Sequence, residues 1–435
     1  MTRTQFAKHS GDRTVGRSYS GAFSMALVGT IIVAGAASFS VSELASVGGS
    51  SPSAAAAIND QGVVVGWSYN ATPEQHSTLW SAAGVPADLG TLGGSQSAGA
   101  AISSSGAIVG ASSNAAGAYH AARWPSANAT PIDLGTLGGT NSQAAGINSA
   151  GDVVGSSMTP GDGPMHATLW VGGQPNAQDL GVLPGGMYSQ AFAINSAGDI
   201  VGVSDDVSGL TQATLWRAAG GHVAVGLKSL GGSYSQAKGI NDKGDIVGMS
   251  TNSSNVFRAV LWAAPGYLPI DLGTLGGSFG GANAINAAGN IVGYSGAAGD
   301  ARHATLWSGA SHSPVDLGFL PNGFGSEASS INASGQIAGF GTNSIYENRA
   351  MFWNPSSPTP APAPGGECER KDGDRGDRNA RGNNERGERK DDKRGRERDN
   401  DRDNDRGNRA GGQRSNRSNG QQNNHEHQGD EQGNC

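Results

Sequence analysis

Four histidines recur at one position of the sequence, each four residues before a tryptophan, and imidazole is the commonest metal-binding side chain. They are His76, His120, His166 and His303. The three remaining equivalent positions carry Gln212, Arg258 and Arg349. Each histidine belongs to a different sequence repeat, whereas a zinc site needs three or four ligands at one point. We therefore predict a packed or surface polar position here, with no metal bound.

An Asn-x-x-Gly motif recurs with a similar period. Six asparagines begin it: Asn59, Asn148, Asn195, Asn241, Asn286 and Asn332. Asn can hydrogen-bond its own backbone and Gly supplies a positive φ, so the motif predicts tight β-hairpins. The alternative is a set of metal- or ligand-binding loops, because Asp60 and Asp242 add carboxylates to two of them. The other motifs lack an acidic neighbour and no calcium-loop spacing is present, so we predict no metal or cofactor.

Three carboxylates interrupt the repeat pattern: Asp205, Asp206 and Glu327. A polysaccharide hydrolase or lyase would need paired carboxylates at a position that is small in the other repeats. Asp205 and Asp206 lie in a variable loop, however, and Glu327 stands alone. The sequence also has no nucleophile elbow, His-Glu-x-x-His, phosphate loop or paired-Cys metal spacing. It therefore predicts no catalytic residues, with a polysaccharide hydrolase or lyase as the alternative.

The elements that must position these residues are set by a repeat of about 46 residues between positions 41 and 354. Each repeat closes on a tryptophan, and the seven are Trp80, Trp124, Trp170, Trp216, Trp262, Trp307 and Trp353. So steady a period indicates one supersecondary module that buries its apolar face only against its neighbours. We predict that the tryptophan is the large apolar residue between adjacent sheets; sugar stacking, the alternative, would require it to be exposed.

Four short apolar segments in each repeat, separated by Gly, Asn or Ser, predict four strands. Seven such units match an all-β fold, the seven-bladed β-propeller, with an open β-solenoid as the alternative. A glycine inside the Val-Gly strand, such as Gly66 or Gly293, predicts a bulge or close approach of another backbone. The last repeat lacks its fourth strand, and residues 41–47 could supply it and close the ring.

The two ends of the chain differ from the repeats. Residues 1–36 combine basic residues with an apolar stretch and small residues, the layout of a cleaved signal peptide, with an uncleaved membrane anchor as the alternative. Residues 355–366 form a Pro-rich linker. The composition of residues 367–435 predicts a disordered tail. This tail holds Cys368 and Cys435, which could form a disulfide or remain free. The tripeptide Arg375-Gly376-Asp377 is explained by chance in a tail of this composition.

Charge separates the folded array from the tail. The tail has 17 basic and 17 acidic residues, which does not favour nucleic-acid binding. The rest of the chain after residue 36 has eight basic and eighteen acidic residues, giving a net charge near −10. Such a charge disfavours anionic partners and favours solubility.

Taken as whole units, the repeats resemble the HAF repeat family of bacterial extracellular proteins. The resemblance rests on Asp-Leu-Gly-x-Leu-Gly-Gly, on Ile-Asn-x-x-Gly-x-Ile-Val-Gly and on the closing Leu-Trp strand, over roughly residues 43–353. Every repeat has Thr, Ala, Val or Met where the family name has Phe. The resemblance implies export and a repeat architecture, but no active-site residues.

These observations together predict a non-catalytic, secreted or surface-displayed protein that acts as a binding or structural scaffold. Its partner is unknown and could be a protein or a glycan at the cell surface, with no nucleic acid and no membrane span after signal cleavage. Because the repeated residues are explained by hairpins and packing, any function is expected where the repeats differ.

Overall fold

The chain is an all-β, seven-bladed propeller. The computed structural model describes residues 29–31, 38–49 and 51–356. Within these ranges, six four-stranded antiparallel sheets and one five-stranded sheet form the seven blades, as the sequence predicted. The described residues contain only two short 3₁₀ helices, Val171–Gly173 and Ala218–Gly220, and none of their helices is long and apolar enough to cross a membrane.

Two short N-terminal strands, β1 (Gly29–Ile31) and β2 (Phe39–Glu43), precede the blades, which then follow in chain order. Blades 1 to 3 contain β3 (Ser53–Ile58), β4 (Val64–Tyr69), β5 (Gln75–Trp80), β6 (Pro86–Asp88); β7 (Gly93–Ile102), β8 (Ile108–Asn114), β9 (Tyr119–Trp124), β10 (Ile132–Asp133); and β11 (Ser142–Ile147), β12 (Val153–Met158), β13 (Met165–Trp170), β14 (Ala177–Asp179). Blades 4 and 5 contain β15 (Ser189–Ile194), β16 (Ile200–Asp205), β17 (Thr211–Trp216), β18 (Ala224–Gly226); and β19 (Gly231–Ile240), β20 (Ile246–Asn252), β21 (Phe257–Trp262), β22 (Pro269–Asp271). Blades 6 and 7 contain β23 (Gly276–Ile285), β24 (Ile291–Ala297), β25 (Arg302–Ser308), β26 (Ser313–Asp316); and β27 (Gly325–Ile331), β28 (Ile337–Thr342), β29 (Asn348–Pro355).

The first strand of each blade is the innermost. First strands contact those of both neighbouring blades all around the ring and so surround a central channel. The end of the propeller that carries the Asn-x-x-Gly turns is called the Asn rim. The opposite end, which carries the loops between second and third strands and the connections between blades, is called the loop rim.

The ring closes between the two ends of the array. Strand β2 pairs antiparallel with β29, placing Val41 opposite Trp353. The fourth strand of blade 7 therefore comes from the N-terminal side, and the open-solenoid alternative is wrong. The strand lies at Phe39–Glu43 rather than at residues 41–47, and beyond it the Leu44 N–H donates to Ala350 O at 2.8 Å. Strand β1 adds a further edge by pairing with β2; the rest of the predicted signal peptide lies outside the described residues.

An ion pair reinforces this closure. Arg349 Nε of β29 lies 3.2 Å from Glu43 Oε1 of β2. Burial raises the pKa of Glu43, and the positive charge of Arg349 opposes that rise. The N-terminal strand thus contributes a carboxylate at the register where most other blades carry Asp in their fourth strand.

The tryptophans are the centre of the core. All seven closing tryptophans are fully buried, with no solvent exposure, which confirms the packing prediction and removes the sugar-stacking alternative. Each packs between its own blade and the one before it, as Trp262 does against Val201, Ala213 and Leu227 of blade 4. Four indole N–H groups also donate to a backbone carbonyl of the preceding blade: Trp80 to Ala45, Trp124 to Leu89, Trp262 to Lys228 and Trp353 to Leu317.

The glycine of the second strand is explained by close approach of backbone. A Cβ built at Gly66 would lie 2.0 Å from Ala54 O of the first strand, and one at Gly293 would lie 2.1 Å from Gly281 O. The same first strands are bulged next to this point, between Ala55 and Ala57 in blade 1. Of the two alternatives, close approach of another backbone explains the glycine, and the bulge lies in the facing first strand.

Candidate functional site

The repeated polar residues at both rims make contacts within their own blade or with the next blade. In four blades the histidine of the third strand contacts the Asp of the Asp-Leu-Gly motif, as in His166 and Asp179, where Nδ1 and Oδ2 are 2.8 Å apart. In blade 5 Arg258 takes the place of histidine and lies 2.9 Å from Asp271. Within the described ranges no group of three His, Cys, Asp or Glu side chains could hold a metal ion. The polar position was predicted from the sequence, but its Asp partner was not.

The six motif asparagines join neighbouring blades as well as shaping turns. Asn286 Oδ1 accepts the N–H groups of Ala288 and Asn290, which is the hairpin role that the sequence predicted. Its Nδ2 donates to Asn332 O of the next blade at 3.0 Å. The same interblade bond begins at all six asparagines, with distances of 3.0 to 3.4 Å, in the order Asn59, Asn148, Asn195, Asn241, Asn286 and Asn332.

Blade 2 is the one break in this ring of amide bonds. Ser103 stands where the other blades have Asn, and its Oγ still accepts the Ala107 N–H at 3.1 Å. The turn is therefore capped, but no side-chain bond from Ser103 to blade 3 is present in the described part of the chain. The amides are 4–6% exposed and bonded on both sides, so their polar atoms are already used within the propeller.

Asp205 and Asp206 hold a loop. Asp205 Oδ1 accepts the N–H groups of Met187 and Tyr188, both at 2.7 Å. Asp206 Oδ1 accepts the Ser208 N–H at 2.8 Å, as Asn114 Oδ1 does for Ala116 in blade 2. Asp206 thus occupies a turn-capping position that Asn fills elsewhere. These contacts give both carboxylates a structural role.

Glu327 lies in a polar cluster that breaks the sevenfold pattern of the channel. Its Oε2 is 2.5 Å from Arg302 Nη2, and its Oε1 accepts from Asn283 Nδ2 at 2.8 Å. Arg302 also lies over the Tyr294 ring, with Cζ 3.5 Å from the centroid. Among the residues the structure describes, no second carboxylate pairs with Glu327. Its neighbours are a cation, an amide and aromatic rings.

Lys238 completes this channel cluster, which we define as Phe192, Lys238, Asn283, Tyr294, Arg302 and Glu327. Its Nζ lies 4.9 Å from the Phe192 ring centroid, a cation–π geometry. Burial lowers the pKa of Lys238, and the negative charge of Glu327 opposes that fall. Burial also raises the pKa of Tyr294, partly offset by the positive charge of Arg302. The cluster combines donors, an acceptor and aromatic faces, the mixture that fixes small polar ligands in protein sites.

One inner-strand position differs between blades in the sequence, and the fold shows that three of its residues belong to this cluster. Phe192, Lys238 and Asn283 lie two residues before the isoleucine that ends the inner strand, at the position where blades 1 to 3 have Ala56, Ala100 and Ala145. This position is therefore large in blades 4 to 6 and small in the other four blades, since blade 7 has Ser329 there. Arg302 and Tyr294 were missed because they lie on other strands and meet Glu327 only through the fold.

Among the described residues, the most exposed aromatic side chains all lie at the loop rim. The described residues include five aromatic side chains that are at least 40% exposed: Tyr119, Tyr188, Phe257, Phe324 and Tyr346. Each lies in a loop between second and third strands, or at a strand end beside the loop rim. Phe324 and Tyr346 stack face to face, with centroids 4.1 Å apart. This rim thus presents the features of a contact surface, since large exposed aromatic residues are enriched at interfaces.

Comparison with known proteins found no family for this chain. No family model matches the chain, and no curated protein does. Solved structures with a similar fold include TolB from Acinetobacter baumannii, with 11% identity, coverage of 65% of this chain and 76% of that one, and a TM-score of 0.39. The β-propeller domain of the Trilobed protease from Pyrococcus furiosus has 9% identity, covers 70% and 94% of the two chains, and has a TM-score of 0.47. A gluconolactonase from Xanthomonas campestris has 10% identity, coverage of 72% and 89%, and a TM-score of 0.37. The chain is similar to these proteins as a β-propeller.

Proposed function

We propose that this chain is an exported, non-catalytic binding scaffold of HAF-like repeats whose loop rim contacts a glycan at the cell surface. The observation that carries the proposal is the asymmetry between the rims. At the Asn rim the repeated amides are buried and bonded to neighbouring blades, whereas the loop rim carries the exposed aromatic side chains. Aromatic faces beside amide and charged groups are suited to a polar ring such as a sugar.

Three contacts support a binding role over the polysaccharide hydrolase or lyase alternative. Asp205 and Asp206 accept backbone N–H groups of their own loops. Glu327 Oε2 forms an ion pair with Arg302 Nη2 at 2.5 Å. Glycoside hydrolysis in most enzymes requires a pair of carboxylates about 5 to 10 Å apart, and the contacts of these three side chains supply no such pair.

The proposal is tested by screening the full chain on a glycan array, alongside two variants, Lys238→Met in the channel cluster and Tyr346→Ala at the loop rim. We expect a defined set of glycans to bind and each variant to weaken that binding at least about tenfold, as for the central contacts of an interface. Val85→Ala is the matched control, because Val85 is also exposed but lies on the Asn-rim side. It should leave binding unchanged.

Three results would overturn the proposal. Equal loss in Val85→Ala and Tyr346→Ala would mean that the loop rim is not the contact surface. Release of new reducing or unsaturated ends from a bound glycan would mean that the chain is an enzyme. Binding to protein and to no glycan would replace the proposed partner.

A further inference from the structure

Blade 4 departs from the polar pairing that the other blades share. Its third strand carries Gln212 at the histidine position, and its fourth strand carries Gly226 at the Asp position. The register is unchanged, because Gly226 lies opposite Thr214 as Asp179 lies opposite Thr168 in blade 3. Blade 4 has therefore lost both members of the pair without any shift of the sheet.

The charge at the Asp-Leu-Gly position is positive in blade 4 and negative in the other blades that have the motif. The Asp-Leu-Gly motif of five blades becomes Gly226-Leu227-Lys228, so a carboxylate is removed and an ammonium is added two residues later. The glycine of the motif has a positive φ in those blades, for example 69° at Gly181, whereas Lys228 has an ordinary backbone conformation. The Lys228 N–H has no acceptor among the described residues, although Gly181 N donates to Asp179 Oδ1 at 2.7 Å. The exposed Lys228 side chain also makes no ion pair in that part of the chain.

A cavity of about 320 Å³ opens at this place, between blades 4 and 5 at the loop rim. Its lining includes Gln212, Gly226, Lys228, Ser233 and Tyr234. The Gln212 side chain is turned toward Asp206, with its Nε2 donating to Oδ2 at 2.7 Å. Asp206 also accepts the N–H groups of Ser208 and Leu210, so its negative charge is offset by three donors.

Tyr234 gives one wall of the cavity an aromatic ring. It is held edge-to-face against Phe257, with centroids 5.5 Å apart. Burial raises the pKa of Tyr234, so the phenol stays protonated at neutral pH and remains a hydrogen-bond donor. An aromatic ring beside a polar donor suits the apolar face and hydroxyl groups of a sugar ring.

We propose that this cavity, the blade 4 cavity, binds the carboxylate of a uronic-acid residue. The carboxylate lies beside Lys228 and Gly226, where it supplies the negative charge that Asp provides in the other blades, and the sugar ring packs against Tyr234. The inference rests on the proposed glycan-binding function and adds a chemical class to it. It also makes the acidic array selective, because the rest of the propeller repels anions.

The test is a titration of the full chain with free glucuronate, followed by saturation-transfer NMR, with glucose as the neutral comparison. We expect glucuronate to bind with a dissociation constant on the order of millimolar, as for a single sugar held by few contacts, and glucose at least about tenfold more weakly. Gly226→Asp restores the carboxylate of the other blades and should abolish binding while the protein stays folded. Lys228→Met should weaken it about tenfold or more, and Lys243→Met, an exposed lysine at the Asn rim, should not.

Each opposite result overturns the inference. Equal affinity for glucose and glucuronate would mean that the carboxylate is not recognised. Unchanged binding in Gly226→Asp would place the ligand elsewhere, and equal binding of N-acetylaspartate would mean that the sugar ring is not recognised. Failure of the uronic-acid site can be distinguished from failure of the proposed glycan binding. If Lys238→Met and Tyr346→Ala lose glycan binding but Gly226→Asp does not, the proposed function stands and the uronic-acid site fails.

Discussion

The two rims of the propeller are built from the same repeat and use it in opposite ways. In the turns between first and second strands at the Asn rim, six of the seven blades keep the same Asn-x-x-Gly motif, and its buried amides bond blade to blade. At the loop rim, the lengths and residue types differ, and aromatic side chains such as Tyr188 and Tyr346 are exposed. Residues that repeat here hold the ring together, and residues that differ are free to recognise something outside it.

The largest expected effect on stability comes from removing the strand that closes the ring of blades. Deleting residues 39–43 removes the fourth strand of blade 7 and exposes the edge of β29. We expect the midpoint of thermal unfolding to fall by more than about 10 °C, measured by calorimetry. A deletion of residues 344–346 in a loop-rim turn is the control and should lower it only slightly. If the two deletions are equivalent, the ring does not depend on its closure.

The next largest effect is the loss of stability when a closing tryptophan is truncated, compared with a tryptophan outside the repeat position. Trp124→Ala removes a fully buried indole that donates to Leu89 O at 2.8 Å. It should lower the free energy of unfolding by about 3–5 kcal/mol, measured by urea denaturation. Trp67→Ala changes the partly exposed tryptophan that lies outside the repeat position, and should cost about 1 kcal/mol. Equal losses would contradict the assignment of the closing tryptophans to the framework.

A smaller effect dissects the ring of amide bonds. Asn286→Ala loses both the turn cap and the bond to Asn332 O, and should lower the free energy of unfolding by about 2 kcal/mol. Asn286→Ser copies blade 2, where Ser103 caps its own turn, and should cost about half as much. Urea denaturation of both variants measures the difference. Identical losses would mean that the interblade bond contributes nothing.

The smallest effect tests whether the channel cluster is kept for function. Burial lowers the pKa of Lys238 in the folded protein, so the unfolded chain binds the proton more tightly and folding is opposed below pH 10.5, the ordinary lysine value. Lys238→Met should therefore raise stability at pH 7 by up to about 1 kcal/mol. The gain should shrink as the pH rises toward 10.5. A destabilised Lys238→Met protein at pH 7 would show that the lysine belongs to the framework.

The sequence predicted the repeated part of the molecule well, because each repeated residue answers a local physical need. The Asn-x-x-Gly turn, the glycine that meets Ala54 O and the buried Trp262 all follow from hairpin geometry and packing. The N-terminal closing strand could be inferred because blade 7 lacked a fourth strand. Its exact position could not, since sequence patterns locate strand ends only to within a few residues.

The candidate site was much harder to predict, because its members are brought together by the ring rather than by the sequence. Glu327 was singled out, but Lys238, Asn283 and Arg302 were not. Their contacts join three different blades. The possible disulfide between Cys368 and Cys435 and the predicted tail at residues 367–435 lie outside the described residues, as does the predicted linker at residues 355–366 beyond Ser356.

Closure by β2 also dictates the order in which this protein can be assembled. Ser40 bonds to Asn354 across a separation of 314 residues, so the first strand of the array to be synthesised waits for the last. Contacts of such long range slow folding, since the chain must lose the entropy of closing the whole loop before they form. Until then β2 lacks its partner β29. The interval between the synthesis of the two strands is therefore when this protein is most prone to pair with another chain, and a chaperone that shields a strand edge would have its greatest effect then.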